Sequence, residues 1–440
     1  MKKILLVLLL GLHLFLLVNL QFTAWPEVLS FPYLMSKGFL LYKDAIHVYP
    51  PLLDFVLLII YKIFGFKLLP LQIFTWLLIL INDLLIFSLA KKLSGNFKSS
   101  FLVLLAYVLL QPILEGNMLW YDTALVTPLL FSLYFYLVKK NYWFVGIALA
   151  VAILIKQTAV VFALVFVGYL IYQRINIKRV LLPIIISGGL LLIYLTTTNS
   201  LIEFFNWCIY YPSVFWSKFP GYVSFLLTKK DYLILAVIFM PLLAFSRSIL
   251  KEKLLLIMLF MACLIMVYPR FSYFHLQPAL ALLVILSSGL RRGLFIGYIL
   301  VVLLLITLPA ARNLWGKEAR FYSSTEFKQA AYLDAKVKPD ERIYLLGPFS
   351  SLYVLSDRIP PKIWTDNFGW YLDIPGVQQN IINSWETNKP QYILWQLPLP
   401  GNWYQPGTYQ PKLITDWISK NYSKIEKLDN ENSLYKLLPE

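Results

Sequence analysis

Stretch after stretch of about 20 residues in this chain carries almost no charge, and that limits its folds more than anything else. Such windows read as repeated membrane spans. The chain is 59% hydrophobic over 440 residues, where a soluble domain is about half apolar. A net charge of +16 would otherwise raise nucleic acid as a partner. Here Lys and Arg fall mostly in short loops between apolar runs, which is the pattern of membrane topology, so no nucleic-acid partner is expected. The N-terminal "MKKILLVLLLGLHLFLLVNLQF" has the charge and apolar run of a signal peptide. Val18, Asn19 and Leu20 stand where a small-x-small cleavage site would be, so it reads as an uncleaved first span. Cys208 falls in a loop and Cys263 in a span, so no structural disulfide is expected. No internal repeat stands out.

The candidate spans are 4–20, 69–90, 99–113, 121–138, 143–156, 158–173, 180–197, 232–246, 253–268, 277–290 and 294–310. The basic segments "MKK", "KKLSGNFK" (91–98), "KK" (139–140), "QRINIKR" (173–179), "SRSILKEK" (246–253) and "RR" (291–292) should all be cytoplasmic. A full crossing by the apolar segment 50–66 would put "MKK" and "KKLSGNFK" on opposite sides. That segment therefore reads as an outer-face juxtamembrane helix or re-entrant turn, with Asp54, Lys62 and Lys67 at the interface. The expected fold is a polytopic α-helical membrane protein of about 11 spans, with the N-terminus cytoplasmic and the C-terminus extracytoplasmic. Lys229 and Lys230 then lie outside, a mild exception. The expected domains are 1–310, transmembrane, and 311–440, a small soluble α/β domain. In the latter, 323–337, 375–387 and 411–420 read as helices, with Ser or Thr ahead of Glu326 as a start signal. Residues 342–347 and 391–396 read as strands.

On this topology Glu27, Asp44, Glu115, Asp122, Lys156, Arg270 and His275 all map to the outer face. Aromatics and Lys at an interface are ordinary anchors. Carboxylates are poorer anchors, and intramembrane acids tend to be functional. Asp122 reads equally as a helix cap, and Lys156 as a snorkelling side chain. His13 reads as packing in the first span, and His47 and His275 as structural loop residues. Glu27 with Asp44 is a candidate pair for a divalent cation, although oxygen-ligand sites leave weak sequence signatures. No other cofactor is expected.

The succession "WPEVLSFPYLMSKGFLLYKDAIHVYPPLLDFVLLIIYKIFG" resembles the first outer loop of the C-type-fold integral-membrane glycosyltransferases, which include the protein O-mannosyltransferases and the lipid A aminoarabinose transferases. In those families an acidic residue follows the first span. A G-x-x-x-Y-x-D-like segment comes next, here Gly38, Leu41, Tyr42 and Asp44. A Pro-Pro pair, Pro50 and Pro51, then opens a surface helix. The likeness continues in "YDTALVTPLLFSLYFYLVKK", "WFVGIALAVAILIKQTAVV", "PRFSYFHLQPALALL" and "IYLLGPFSSLYVLSDRIPPKIW". It departs at the first acid, where those families more often carry Asp or Asp-Glu.

The resemblance implies an inverting glycosyltransferase working on the outer face of the cell membrane. It implies a polyprenyl-phosphate sugar donor, membrane lipid around the spans, and a protein, lipid or glycan acceptor. Glu27, Asp44 and Asp122 are then the catalytic carboxylates. Lys156, Arg270 and His275 bind the donor phosphate, and Tyr42, His47 and Tyr49 rim the substrate site. A flippase or transporter of lipid-linked sugar, without transferase activity, is the alternative. It predicts charge buried mid-span, for which Asp83 beside Asn82 is the one obvious acid. A membrane-anchored assembly factor is a third reading, and it has no need of clustered acids and bases on one face.

Overall fold

The structure, a computed structural model, describes residues 2–244, 253–401 and 407–439. The end of the expected span 232–246, and all but the last residue of the basic segment 246–253, lie outside them. Nine helices open the chain. They are α1 (Lys2–Asn19), α2 (Glu27–Ser36), α3 (Leu52–Phe64), α4 (Leu68–Ser94), α5 (Phe97–Leu110), α6 (Tyr121–Tyr134), α7 (Tyr142–Ile155), α8 (Ala159–Tyr172) and α9 (Lys178–Thr197). Later apolar helices include Lys229–Phe239, Leu254–Ile265, Gln277–Leu286 and Arg292–Val302. Each of the eleven expected segments meets a helix. By length and composition, five of the described helices are sufficient to cross a membrane: Lys2–Asn19, Leu68–Ser94, Tyr121–Lys139, Lys178–Thr197 and Arg292–Leu314. Helices such as α5, of 14 residues, reach about 21 Å against about 30 Å of hydrocarbon. They need flanking turns to cross.

α3 has 13 residues, about 20 Å, too short to span. It buries Leu53, Asp54, Leu57 and Tyr61 and leaves Ile59, Ile63 and Phe64 exposed. An apolar helix with one face on protein and another apolar face uncovered is suited to lying along a bilayer surface.

By its contacts the chain divides into two compact units. The first comprises residues 1–23, 71–191 and 224–319. Its core joins Leu104, Tyr107 and Val108 of α5, Leu125 and Leu129 of α6, Leu149 of α7, and Phe162 and Phe166 of α8. His13 does more here than pack. It is fully buried, with Nδ1 2.7 Å from Asp83 Oδ2 and Nε2 3.1 Å from Gln111 Oε1. Gln111 Nε2 donates to the Gly116 carbonyl at 2.9 Å, so the amide oxygen faces His13 and His13 Nε2 is the donor. The mid-span acid thus has a basic partner that compensates its burial.

The second unit comprises 24–70, 192–223 and 320–440. The tail supplies a four-stranded sheet in the order β1-β2-β4-β3. Its strands are β1 (Ile343–Leu346), β2 (Tyr392–Gln396), β3 (Tyr422–Lys427) and β4 (Asn432–Leu437). β1 runs parallel to β2, and β4 is antiparallel to both β2 and β3. Helices Ser324–Lys336, Val377–Glu386 and Lys412–Asn421 accompany it, and Ile343, Trp385, Ile393, Leu394, Ile418 and Leu434 are its buried residues. Ser323 and Glu326 form the capping box that starts the first of these helices, with Ser323 N donating to Glu326 Oε2 at 2.7 Å. β3 carries Lys424, Glu426 and Lys427, and β4 begins with Asn432 and Ser433 and carries Lys436, which hides both from a search for apolar runs.

Candidate active site

In the first unit, side-chain amides fix the segment leading into α6. Gln277 Nε2 donates to the carbonyls of Gln111 (3.2 Å) and Leu114 (2.6 Å). Asn117 Nδ2 donates to those of Leu17 and Leu20 at 2.9 and 3.0 Å. Asp122, second residue of α6, is completely buried. Its two oxygens accept from Lys156 Nζ at 2.6 and 2.7 Å, and His275 Nδ1 stands 3.0 Å from Oδ2. Lys156 follows the last turn of α7 with extended backbone and is 6% exposed. It points inward onto a carboxylate, so it does not snorkel. Asp122 spends its oxygens on Lys156 and makes no side-chain cap at the start of its helix. Arg270 is near enough for its charge to act on His275. Asp122 is thus matched by Lys156 and His275, with Arg270 beside His275, and basic groups gathered in this way are suited to an anion.

The loop 40–54, in the second unit, is a scaffold. Tyr42 adopts a left-handed backbone, φ 70°, an uncommon conformation for an aromatic residue. Two bonds hold it there: its N–H donates to Ala45 O (2.8 Å) and its hydroxyl to Tyr49 O (2.7 Å). His47 Nε2 lies 3.1 Å from Asp54 Oδ2, with both groups buried. Asp44 Oδ2 accepts from Lys362 Nζ (2.7 Å) and from Leu40 N (3.0 Å). Trp364 N donates to Asp44 O, and Ile46 N to Trp364 O, each at 2.9 Å. Tyr42 and His47 are 1% exposed. They support the loop from within and do not form an open rim.

Glu27 lines a cavity of about 610 Å³. It is the first residue of α2 and is 7% exposed, and its Oε2 has no hydrogen-bond partner among the described residues. Asp366 lines the same cavity and accepts from Ser350 Oγ, which in turn accepts from Ser30 Oγ at 3.1 Å. Asn367 locks the segment bearing Asp366, accepting from Tyr344 OH and donating to Leu345 O. At the end of β1, Gly347 has φ 103°, and a Cβ there would stand 2.7 Å from Gln396 Cβ. Only glycine lets the chain turn there into Pro348, Phe349 and Ser350 on the cavity wall. Burial, and then the neighbouring Asp366 charge, push the Glu27 carboxyl well above its ordinary range. Burial pushes Asp366 up to about 7, against the opposing bond from Ser350. Both carboxyls therefore hold their protons to higher pH than free acids do.

Of the residues expected to do chemistry, Asp122, Lys156 and His275 come together, with Arg270 close by. Glu27 faces a cavity. Asp44 is committed to Lys362 and does not line that cavity, so the pair considered for a divalent cation is not assembled. No group of three His, Cys, Asp or Glu suited to a metal occurs among the described residues. Asp366 was missed. It sits in "WTDNFGW", and nothing in that short polar stretch ties it to a residue more than 300 positions earlier.

Residues 48–202 match the dolichyl-phosphate-mannose-protein mannosyltransferase family. No curated protein matches the chain in sequence. Two solved structures share its fold from end to end. ArnT from Cupriavidus metallidurans bound to undecaprenyl phosphate matches with a TM-score of 0.65 and 12% identity, covering 98% of this chain and 97% of that one. The same protein in the apo state matches with a TM-score of 0.59 and 13% identity over the same shares. The chain is therefore a multi-pass membrane protein that shares the fold of those two structures, and its residues 48–202 are similar to the mannosyltransferase family.

Proposed function

We propose that this protein transfers a sugar from a polyprenyl-phosphate donor to an acceptor hydroxyl on the outer face of the membrane, with inversion at the anomeric carbon. The observation that carries the reading is Glu27: a buried carboxyl that lines a cavity and has an oxygen without a partner among the described residues, in a chain with this fold. The acceptor oxygen attacks the anomeric carbon while Glu27 takes its proton. The bond from that carbon to the phosphate oxygen breaks, and the polyprenyl phosphate leaves as an anion. Arg270, Lys156 and His275 neutralise the departing charge. Asp122 holds Lys156 in position for this, and Asp44 keeps the first loop in shape. The N-terminus is cytoplasmic and the 320–440 segment extracytoplasmic, a reading supported by the basic loops.

The match to a structure that contains undecaprenyl phosphate supports a polyprenyl-phosphate donor. Asp83, the mid-span acid that the transporter alternative points to, is paired with His13. The test is incubation of the purified protein with radiolabelled polyprenyl-phosphate sugars, scoring release of free lipid phosphate. Release dependent on an added acceptor supports transfer. Intact donor with every sugar and acceptor, in protein that binds the lipid, contradicts it.

A further inference from the structure

The cavity that holds Glu27 has a composition of its own. Five of its lining residues bear carboxyls, Glu27, Glu326, Asp366, Asp429 and Glu431. Arg320 is its one basic residue among those described, and its guanidinium stacks over the rings of Trp25 and Phe321, 6.0 and 4.6 Å from their centroids. Phe321 packs against Trp25 at 5.0 Å and against Phe349 at 4.8 Å, making a continuous aromatic wall. Phe321 holds this position at φ 66°, a left-handed conformation unfavourable for a bulky residue and one that tends to cluster at functional sites. Opposite in chemistry stand polar atoms that no protein group satisfies. Glu27 Oε2 and Asn432 Oδ1 are buried and lack hydrogen-bond partners among the described residues. Asn432 is 4% exposed and belongs to the same wall. Its Nδ2 is held by Asp429 at 2.9 and 3.0 Å, which leaves the amide oxygen as an open acceptor.

We infer that this cavity is the acceptor site and that its ligand is an uncharged sugar ring of a glycan. An aromatic wall with open hydrogen-bond acceptors opposite it suits a ring that has one C–H-rich face and hydroxyls at its edge. Glu27 and Asn432 each lack a donor, and sugar hydroxyls are donors. The excess of carboxyls turns away phosphate-bearing ligands by like-charge repulsion. A volume of about 610 Å³ holds a mono- or disaccharide. An anionic lipid headgroup or an extended peptide fits this lining worse.

This inference rests on the transferase reading and names the acceptor class for it. The two separate in one pair of experiments on the full-length protein in nanodiscs. Trp fluorescence and calorimetric titration read binding of a panel of uncharged methyl glycosides and disaccharides. The same sugars bearing a 6-phosphate, and a Ser/Thr peptide, are run beside them. Saturable binding of at least one uncharged sugar is expected, with its phosphorylated form weaker by about tenfold or more, as for a site that discriminates through unpaired polar groups. Trp25→Ala, and the milder Phe349→Leu, should each weaken that binding while both proteins keep the wild-type melting profile. Three results overturn the inference: no saturable uncharged sugar, tighter binding of the phosphorylated form or of the peptide, or binding indifferent to both variants. Donor turnover is scored in parallel. Turnover without sugar binding sinks the inference and leaves the transferase reading standing. Sugar binding without any donor turnover does the reverse.

Discussion

The paired centres of the first unit and the Glu27 cavity of the second handle buried charge in opposite ways. In the first, Asp122 is matched by Lys156 at 2.6 Å with His275 beside it, and Asp83 is matched by His13 at 2.7 Å. In the second, Glu27 meets another carboxyl in Asp366 and keeps an oxygen without a partner. A matched pair lowers the cost of burying each charge and so holds elements in register. Burial raises the proton affinity of both carboxyls, and the Asp366 charge raises that of Glu27 further, the kind of perturbation found at catalytic acids and bases. The matched centres are therefore assigned to holding shape and anchoring an anion, and the unmatched one to chemistry.

The largest stability effect belongs to the matched centre. Lys156→Met strands a buried carboxylate and should lower stability by about 3–5 kcal/mol, read as a fall in melting temperature in detergent. The double variant Asp122→Asn with Lys156→Met removes both charges and should recover much of that loss. If the single variant melts like the wild type, the pair is not a matched buried bridge.

A pH effect of the opposite sign belongs to the second unit. Asp366 has a raised proton affinity in the folded chain, so its contribution to stability is fully present below the unfolded value of 3.8 and is lost as pH rises through about 7; the Glu27 shift has the same sign. Arg320, Glu326, Asp429 and Glu431 share the cavity. The melting temperature should fall across that window, and Asp366→Asn should flatten the slope. Asp366→Asn should also move the acidic limb of the rate profile to lower pH, because Glu27 loses a repelling neighbour. A limb that stays in place would make Asp366 a structural residue only.

The smallest change is expected at Lys362→Met. Its bridge to Asp44 is 41% exposed on the lysine side, and such pairs contribute about 0–1 kcal/mol. Transfer should stay close to the wild-type rate. A large loss would mean that the Asp44 loop takes part in the reaction.

The apolar helices, the short helix α3 and the capping box at Ser323 were legible because each follows from local pattern: apolar length, charge in loops, and a Ser three residues before Glu326. Glu27, Asp122, Lys156, Arg270 and His275 stood out as ionisable groups at the ends of apolar runs. Their partnerships did not. Asp122 with Lys156, His13 with Asp83, and Glu27 with Asp366 join residues separated by 34 positions or more, and periodicity carries no information about such pairs. His47 illustrates the limit. A histidine between two tyrosines ahead of a Pro-Pro pair looks like a site residue until its contact with Asp54, seven residues on, shows it holding a loop.

The central claim is that Glu27 moves the proton and does not hold the donor. The direct measurement is single-turnover transfer by Glu27→Gln, with donor binding measured on the same preparation. The account predicts a rate lower by about 10²–10⁴-fold and donor affinity close to wild type. Wild-type transfer by Glu27→Gln, in a protein that binds donor normally, would contradict it.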